Sequence, residues 1–573
     1  MHFSIFLTFQ TACLLLIGLA STTPTPSAYS GTALSARSST CSGNTASDRS
    51  QWCDYDLSTN YYTDGPDTGN TVEYWFNLVN TTASPDGVER NVLLVNGSFP
   101  GPTIEANWGD TVVVHVTNSL TYNGTGIHFH GVRQNYTNQM DGVPSITQCP
   151  LAPGETYTYT WKATQYGSSW YHSHYSLQAW EGIFGGIVIH GPATANYDTD
   201  LGSLFLNDWS HETADALYSE AATSGSPTLD NGLINGTNTY DDGGSRFETT
   251  FEEGRTYLIR LVNAGIDSHF KFSLDNHTMT VIATDFVPIV PYTTEVLSIG
   301  MGQRYDILIT ANQSSSSSYW LRAIPQTTCS NNDNPTDIKG IVRYSSNSTN
   351  ATTTTDPTTS AYDYTDSCLD ESSSSLVPYL SLTPEVSSEE TTLPVTVTLF
   401  QNLFKWSIGS QGSMRVSWSD PTLLQLSNTT WANSSSVITL PDANEWTALI
   451  IETTNSLPHP IHLHGHDFYI LDSGTGTYNS SIETVTNPPR RDVAMLPGSG
   501  YLILAFKTDN PGAWLMHCHI GWHSEEGFAL QFLERQSEIS ALIDEDILEE
   551  TCSAWDTWVD NGGLEEGTGV SGI

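Results

Sequence analysis

The sequence predicts an all-β protein of three consecutive β-sandwich modules. Residues 72–79, 111–117, 156–161, 256–262, 304–310, 446–453 and 501–507 are short alternating or β-branched runs between Gly, Pro, Asn and Asp turns, the pattern of half-buried strands. No long amphipathic helix stands out beside them. The chain also repeats itself: "TNSL" at Thr117–Leu120 precedes "IHFHG", and the same four residues at Thr454–Leu457 precede "IHLHG". Farther on, "PGETYTYTWK" leads into "HSHYSLQAWEGI" as "PGSGYLILAFK" leads into "HCHIGWHSEEGF". Such self-similarity marks duplicated modules, and 573 residues hold three or four of them at roughly 150 residues each.

In chain order, "FLTFQTACLLLIGLA" supplies the apolar core of an export signal over 1–20, cleaved near Ala20, although the usual basic start is missing. The Thr/Pro/Ser-rich stretch 21–37 reads as a propeptide ending at Arg37. The first module then runs over 38–192, to a boundary near "IHGPATANYD", and the second over 193–370. Ser345–Ser375, rich in Ser and Thr, is the expected linker to the third, 371–564. No later segment is apolar enough to span a membrane, so a secreted, extracellular protein is expected.

Successive strand side chains point to opposite faces. In His517-Cys518-His519 the cysteine therefore faces one way and both histidines the other. One thiolate between two imidazoles joins two metal centres through a few covalent bonds, an arrangement for electron transfer. Ten of the 17 His fall in four clusters: His128 and His130; His172 and His174; His459, His462 and His464; His517, His519 and His523. Each contains His-x-His. Lone histidines such as His115, His190 and His277 read as satisfied core residues; four repeats of one spacing read as metal ligands, imidazole suiting Cu, Zn and Fe. His466 is the spare of its cluster.

A trigonal site of two His and one Cys with a weak or absent axial ligand is the blue-copper arrangement. Cys518 and His523 are local to each other, and His459 is the remaining unpaired imidazole. Ten residues after Cys518, where an axial Met is expected, stands Phe528, which cannot coordinate; the potential should be high. The other eight imidazoles suit three further coppers bound as two, three and three, giving four copper ions per chain. Zinc could not use the redox connection. The repeat sets Ser173 opposite Cys518, Gln178 opposite His523 and Ile183 opposite Phe528. The earlier copy thus keeps its histidine pairs but lacks the blue site. Two modules share one histidine cluster, and the middle module carries no metal ligand.

Of eight Cys, Cys13 leaves with the signal and Cys518 is a ligand; six remain, with fifteen possible pairings. Cys41 with Cys53 is the natural local bridge and Cys329 with Cys368 a staple of the linker, which leaves Cys149 with Cys552. The formal charge is −43, yet 14% of residues are charged, against roughly 25% ordinarily. Lys and Arg are scarce rather than acids extreme, so nucleic acid and anionic membranes are poor partners. Twelve sequons (Asn80, Asn96, Asn123, Asn135, Asn235, Asn276, Asn312, Asn347, Asn350, Asn428, Asn433 and Asn479) are candidate N-glycosylation sites in an exported chain.

The four clusters in order, with the flanks "HFHG", "WYHSH", "HPIHLHGHDF" and "HCHIGWHSEEGF" and with "NWGDTV" and "NHTMTVIATDFVPIVPY" elsewhere, resemble the copper signatures of multicopper oxidases, closest to ascomycete fungal laccases. The resemblance runs over nearly the whole mature chain. It implies three cupredoxin domains, with type 1 copper on His459, Cys518 and His523, and type 2 on His128 and His462. One type 3 copper takes His130, His172 and His519; the other takes His174, His464 and His517. It further implies small phenolic or aromatic reductants oxidised one electron at a time near His523, and dioxygen reduced to water. Asp267 in "NAGIDSHF" is implied as acceptor of the phenolic proton; Asp141 in "QMDGVP" reads as a proton relay, a turn-forming Asp-Gly being nearly as apt, and Trp522, beside His523, as a pocket wall or equally as plain core. Phe129 departs from the family's usual Trp. The C-terminal "DNGGLEEGTGVSGI" resembles a processed tail, with cleavage expected after Leu564 and 565–573 lost. A monomer is expected. Ferroxidase, ascorbate oxidase and bilirubin oxidase share such copper sites, and a copper or electron carrier needs only the blue one. Lignin phenols, pigment precursors and plant defence compounds are all open as natural substrates.

Overall fold

A computed structural model describes residues 43–563 apart from 315–316, 346–354, 387–389 and 416. In the first part of the chain a four-stranded sheet, ordered Arg90–Val95, Thr71–Ala83, Thr111–Asn118, Thr156–Lys162, packs on a second, ordered Gly101–Asn107, Phe184–His190, Gly167–Ser173, Ile127–His130. The alternation of Thr111–Asn118 sends Val112, Val114 and Val116 inward, against Tyr157, Tyr159 and Trp161 of its antiparallel neighbour. The middle and third parts each pair a six-stranded with a five-stranded sheet. Every strand predicted above is present, from Thr71–Ala83 to Gly500–Lys507. Among the described residues no helix is long and apolar enough to cross a membrane.

The internal repeat is a repeat of hydrogen bonds. Ile127–His130 pairs antiparallel with Gly167–Ser173, setting His128 opposite His172; His459–Leu463 pairs with Gly512–Cys518, setting His462 opposite His517. Ser173 N–H donates to Ile183 O at 3.0 Å, as Cys518 N–H does to Phe528 O at 3.0 Å. His174 N–H reaches Gly126 O at 2.9 Å, and His519 N–H reaches Pro460 O at 2.7 Å.

Four expectations need correction. A 16-residue amphipathic helix, Glu545–Asp560, is present: Asp544 caps it by accepting from Ile547 N–H, and Leu548, Thr551, Cys552 and Trp555 form its buried stripe. The Ser/Thr-rich segment is, where described, no free linker. Thr359 Oγ1 donates to Asp275 Oδ2 at 2.7 Å, Tyr362 to His277 O at 3.1 Å, and Asp370 accepts from Met495 N–H at 2.8 Å. His115 lies on an outward face, its Nδ1 2.9 Å from Thr158 Oγ1 and its ring stacked on exposed Trp75. His190 is half-exposed as well, so only His277 of the three is buried, bonded to Asp275 O at 2.8 Å and Tyr344 Oη at 2.6 Å. Trp522 is the fourth correction and belongs with the site below.

Cys329 is bonded to Cys368 and Cys149 to Cys552, with Cα separations of 6.5 and 5.0 Å; Cys41 lies outside the described residues. The second bridge, 403 residues apart in sequence, ties the C-terminal helix to the first sandwich. In the chain-entropy picture so long a closure contributes about 6 kcal/mol at most. Replacing both cysteines by Ser should lower the apparent Tm, and hydrogen exchange should report early opening of Glu545–Asp560. Exchange unchanged in that helix would show that packing alone holds it.

Candidate metal centres and the adjoining cavity

Cys518 ends the central strand Gly512–Cys518, fully buried. Its Sγ lies 3.9 Å from His459 Nδ1 and 3.8 Å from His523 Nδ1. His459 opens the neighbouring strand, and His523 projects from the short helix Gly521–Glu525. Phe528 closes the site, its ring 5.1 Å from that of His459 and stacked 5.4 Å from Trp406. Burial pushes the His523 imidazole down to about 3 and that of His459 well below its usual range, so both are neutral, and it pushes the Cys518 thiol up. Two neutral imidazoles, one sulfur and an apolar lid suit copper.

On the far face of the same strand, eight imidazoles form one continuous nest: His128, His130, His172 and His174 from the first sandwich, His462, His464, His517 and His519 from the third. The Nδ1–H groups of His128, His172, His462 and His517 donate to the carbonyls of Asp141, Ser173, Asp492 and Cys518 at 2.8–3.0 Å. A carbonyl only accepts, so each Nε2 carries a bare lone pair. All four Nε2 atoms are buried without a hydrogen-bond partner, as is that of His464. His130 is turned the other way: Nε2 faces Asp492 Oδ1 at 3.2 Å and Nδ1 is the unpartnered atom. Converging lone pairs with no donor among them fit cations. His174, His464 and His517 form one group with donor atoms within 4.8 Å of one another; His128 is shared between a group with His462 and His464 and another with His130 and His172. His466 stands apart, bonded to His464 O at 3.1 Å and 3.1 Å from Glu534. Phe129, in place of the usual Trp, packs on Tyr159 and Trp161.

Two carboxylates flank the nest. Asp141 ends a 3-10 turn and takes His464 Nδ1–H on Oδ2 at 2.8 Å, with His128 Nδ1 3.2 Å from Oδ1. The turn demands glycine next: Gly142 has φ +76°, and a Cβ there would lie 1.8 Å from Ile127 O. Asp492, missed in the sequence, is held by Arg304 of the middle sandwich through two 2.5 Å bonds. Burial pushes its carboxyl up to about 7 against the pull of Arg304. The middle sandwich thus braces a centre to which it contributes no ligand. Its Gly302 lies so close that a Cβ would sit 2.8 Å from the His519 ring. Arg304→Met should destabilise the fold by about 3–5 kcal/mol, since a buried carboxylate loses its partner. It should also reduce copper retained on dialysis; unchanged apparent Tm and copper content would count against the brace.

Beside the Cys518 site a cavity is lined by Asp267, His269, Ser226 and Met301 of the middle sandwich, by Leu457, Pro458, Met495, Ile520 and His523 of the third, and by the Cys329–Cys368 bridge. Asp208 holds the loop by accepting the N–H groups of Ile266, Asp267 and Ser268 at 2.7–2.9 Å. Burial, reinforced by Asp208, pushes Asp267 up to about 7, and its Oδ2 has no partner. Trp522 does not line this cavity. It is buried on the other side of the short helix, in a neighbouring void with Trp180 and Trp209.

Residues 77–194, 201–347 and 407–538 match the profiles of a family described as multicopper oxidase, and the chain belongs to that family. Laccase-2 of Botryotinia fuckeliana is 47% identical over 96% of this chain and 97% of its own length, and Laccase-1 of the same organism 51% over 90% and 91%. The crystal structure of a laccase from Botrytis aclada superposes with a TM-score of 0.87 at 45% identity, covering 92% of this chain and 99% of that one. Within the family it is an enzyme of the laccase type.

Proposed function

We propose that the chain is a secreted, monomeric, N-glycosylated laccase that oxidises phenols and related aromatics with dioxygen, using four coppers. His459, Cys518 and His523 would hold the type 1 ion, with the non-coordinating Phe528 packed beside them. His128 and His462 hold type 2; His130, His172 and His519 hold one type 3 ion, and His174, His464 and His517 the other. Copper so held supplies one-electron acceptance from a reductant and the four-electron reduction of dioxygen to water. The proposed domain divisions are 38–192, 193–370 and 371–564.

The observation that carries this reading is a single strand end, where Cys518 faces two imidazoles on one side while its chain neighbours His517 and His519 enter the eight-ring nest on the other. That backbone is a continuous covalent path between the two centres. His523 turns Nδ1 to Cys518 and lines the cavity as well, so a ring in the cavity reaches the path through one imidazole. Asp267 takes the phenolic proton there; Asp141, beside the nest, relays protons towards it. Every sequon asparagine among the described residues is at least partly exposed, as glycan attachment requires; Asn347 and Asn350 lie outside them, as does the tail 565–573. Oxygen uptake with 2-methoxyphenol, set against Fe(II) and ascorbate, tests the reading. Faster uptake with either of the latter would move the chain to another branch of the family, and none with any donor by copper-replete protein would leave only a carrier.

A further inference from the structure

Of the polar side chains around the cavity, His269 has no role in the scheme above. It is fully buried, and neither ring nitrogen has a hydrogen-bond partner. It stands two residues after Asp267, whose Oδ2 is likewise unpartnered, on the segment entering strand Phe270–Leu274. Apart from these two and Ser226, the lining is apolar side chains, the disulfide and His523. Both side chains sit on fixed backbone: Asp208 pins the loop, and Gln326 N–H donates to His269 O at 2.9 Å. Burial, with Lys271 and Arg491 nearby, holds the imidazole neutral, so it offers one donor and one acceptor.

We propose that His269 sets substrate specificity by hydrogen-bonding the second of two adjacent ring oxygens, so that the cavity selects phenols carrying a hydroxyl or methoxy group ortho to the reacting hydroxyl. This rests on the reading of the cavity as the phenol site. A buried donor without a partner is costly, and in an otherwise apolar slot only the ligand satisfies two polar groups at once. Asp267 and His269 line the same cavity from positions two residues apart, a pairing that suits two adjacent ring oxygens, one on each side chain. A para oxygen lies on the opposite side of the ring. The N–H suits a methoxy oxygen, which only accepts, and a hydroxyl serves either nitrogen.

The test compares 2-methoxyphenol with 4-methoxyphenol, binding to the holoenzyme kept reduced and free of oxygen so that nothing turns over, with calorimetry as readout. The unmodified enzyme should bind the ortho isomer at least about fivefold more tightly. In His269→Phe the ortho isomer should weaken about tenfold and the para isomer by less than about twofold. His269→Gln should recover most of the loss, while the blue absorption and the turnover of hexacyanoferrate(II) stay as they were. Equal weakening of both isomers, or no preference in the unmodified enzyme, overturns the inference. The second comparison needs no variant, so it decides even where His269→Phe does not fold. Binding of neither phenol by the unmodified enzyme would instead overturn the reading of the cavity itself.

Discussion

Cys518→Ser should give a folded, colourless protein whose oxygen uptake with every donor is undetectable. The sulfur is fully buried, and serine is nearly its shape, so packing around Ile461, Met516 and Phe528 survives. What disappears is the soft donor, since a hydroxyl is a poor ligand for this geometry, and with it the one atom that touches both flanking imidazoles of the blue site. The eight-ring nest keeps all its imidazoles, so copper per chain should fall by about one ion and no more. A second reading follows from the thiol, which burial pushes up while the imidazoles are already neutral. Loading copper must expel the thiol proton but none from His459 or His523. Calorimetric loading in buffers of different ionisation enthalpy should therefore show one proton fewer released by the variant than by the parent. Retained blue absorption, or equal proton release, would sink the assignment of Cys518.

The chain contains its own control for this experiment. At the equivalent place in the first sandwich, Ser173 stands for Cys518 and Gln178 for His523, and the repeat sets Thr125 opposite His459. Gln178 Oε1 accepts from Ser173 Oγ at 2.8 Å and from Thr125 Oγ1 at 3.0 Å, and its amide donates to Gly124 O at 2.8 Å. Three hydrogen-bonding side chains thus satisfy one another where, in the later copy, three metal donors leave their lone pairs bare. Both loops are closed by an equivalent backbone hydrogen bond, Ile183 N–H to Gln178 O at 3.3 Å and Phe528 N–H to His523 O at 3.0 Å. Identity of side chain rather than of fold decides which copy holds an ion.

Much of this was legible because metal ligands at fixed strand spacing leave a signature that survives without a structure. His-x-His and His-Cys-His state both the residue types and the faces they occupy. The helix Glu545–Asp560 was harder to see because its buried stripe, Leu548, Thr551, Cys552 and Trp555, places a Thr and a Cys where apolar residues announce a helix. Arg304 and Asp492 lie 188 residues apart and meet only when the middle sandwich docks, and no local pattern encodes that. "RRD" at Arg490–Asp492, in a chain this poor in cations, was the one available hint. His269 was hidden by its neighbour: the eye stops at Asp267. Trp522 was misplaced for a geometric reason, because on a helix adjacent residues point about 100° apart, so standing next to His523 in sequence turns it away from the cavity His523 lines.

Asp267→Asn should slow phenol oxidation by about 10²-fold or more in kcat/KM, the range expected when a positioned base is lost, and leave oxidation of hexacyanoferrate(II), which gives up no proton, unchanged. The substitution keeps the side chain's size and preserves the three N–H groups that Asp208 accepts, so the loop should hold its place. The pH profile separates proton transfer from a merely structural role. Burial and then Asp208 raise the Asp267 carboxyl to about 7, and only its ionised form takes a proton. Phenol turnover should therefore rise with pH along a limb whose midpoint lies at or below about 7, since positive charge at the neighbouring His459–Cys518–His523 site lowers a nearby carboxyl. In Asp267→Asn that limb should flatten while the hexacyanoferrate(II) profile keeps its shape. Equal losses with both donors would place Asp267 in the framework of the cavity and outside the chemistry. An unaltered limb would place the titrating group elsewhere than Asp267.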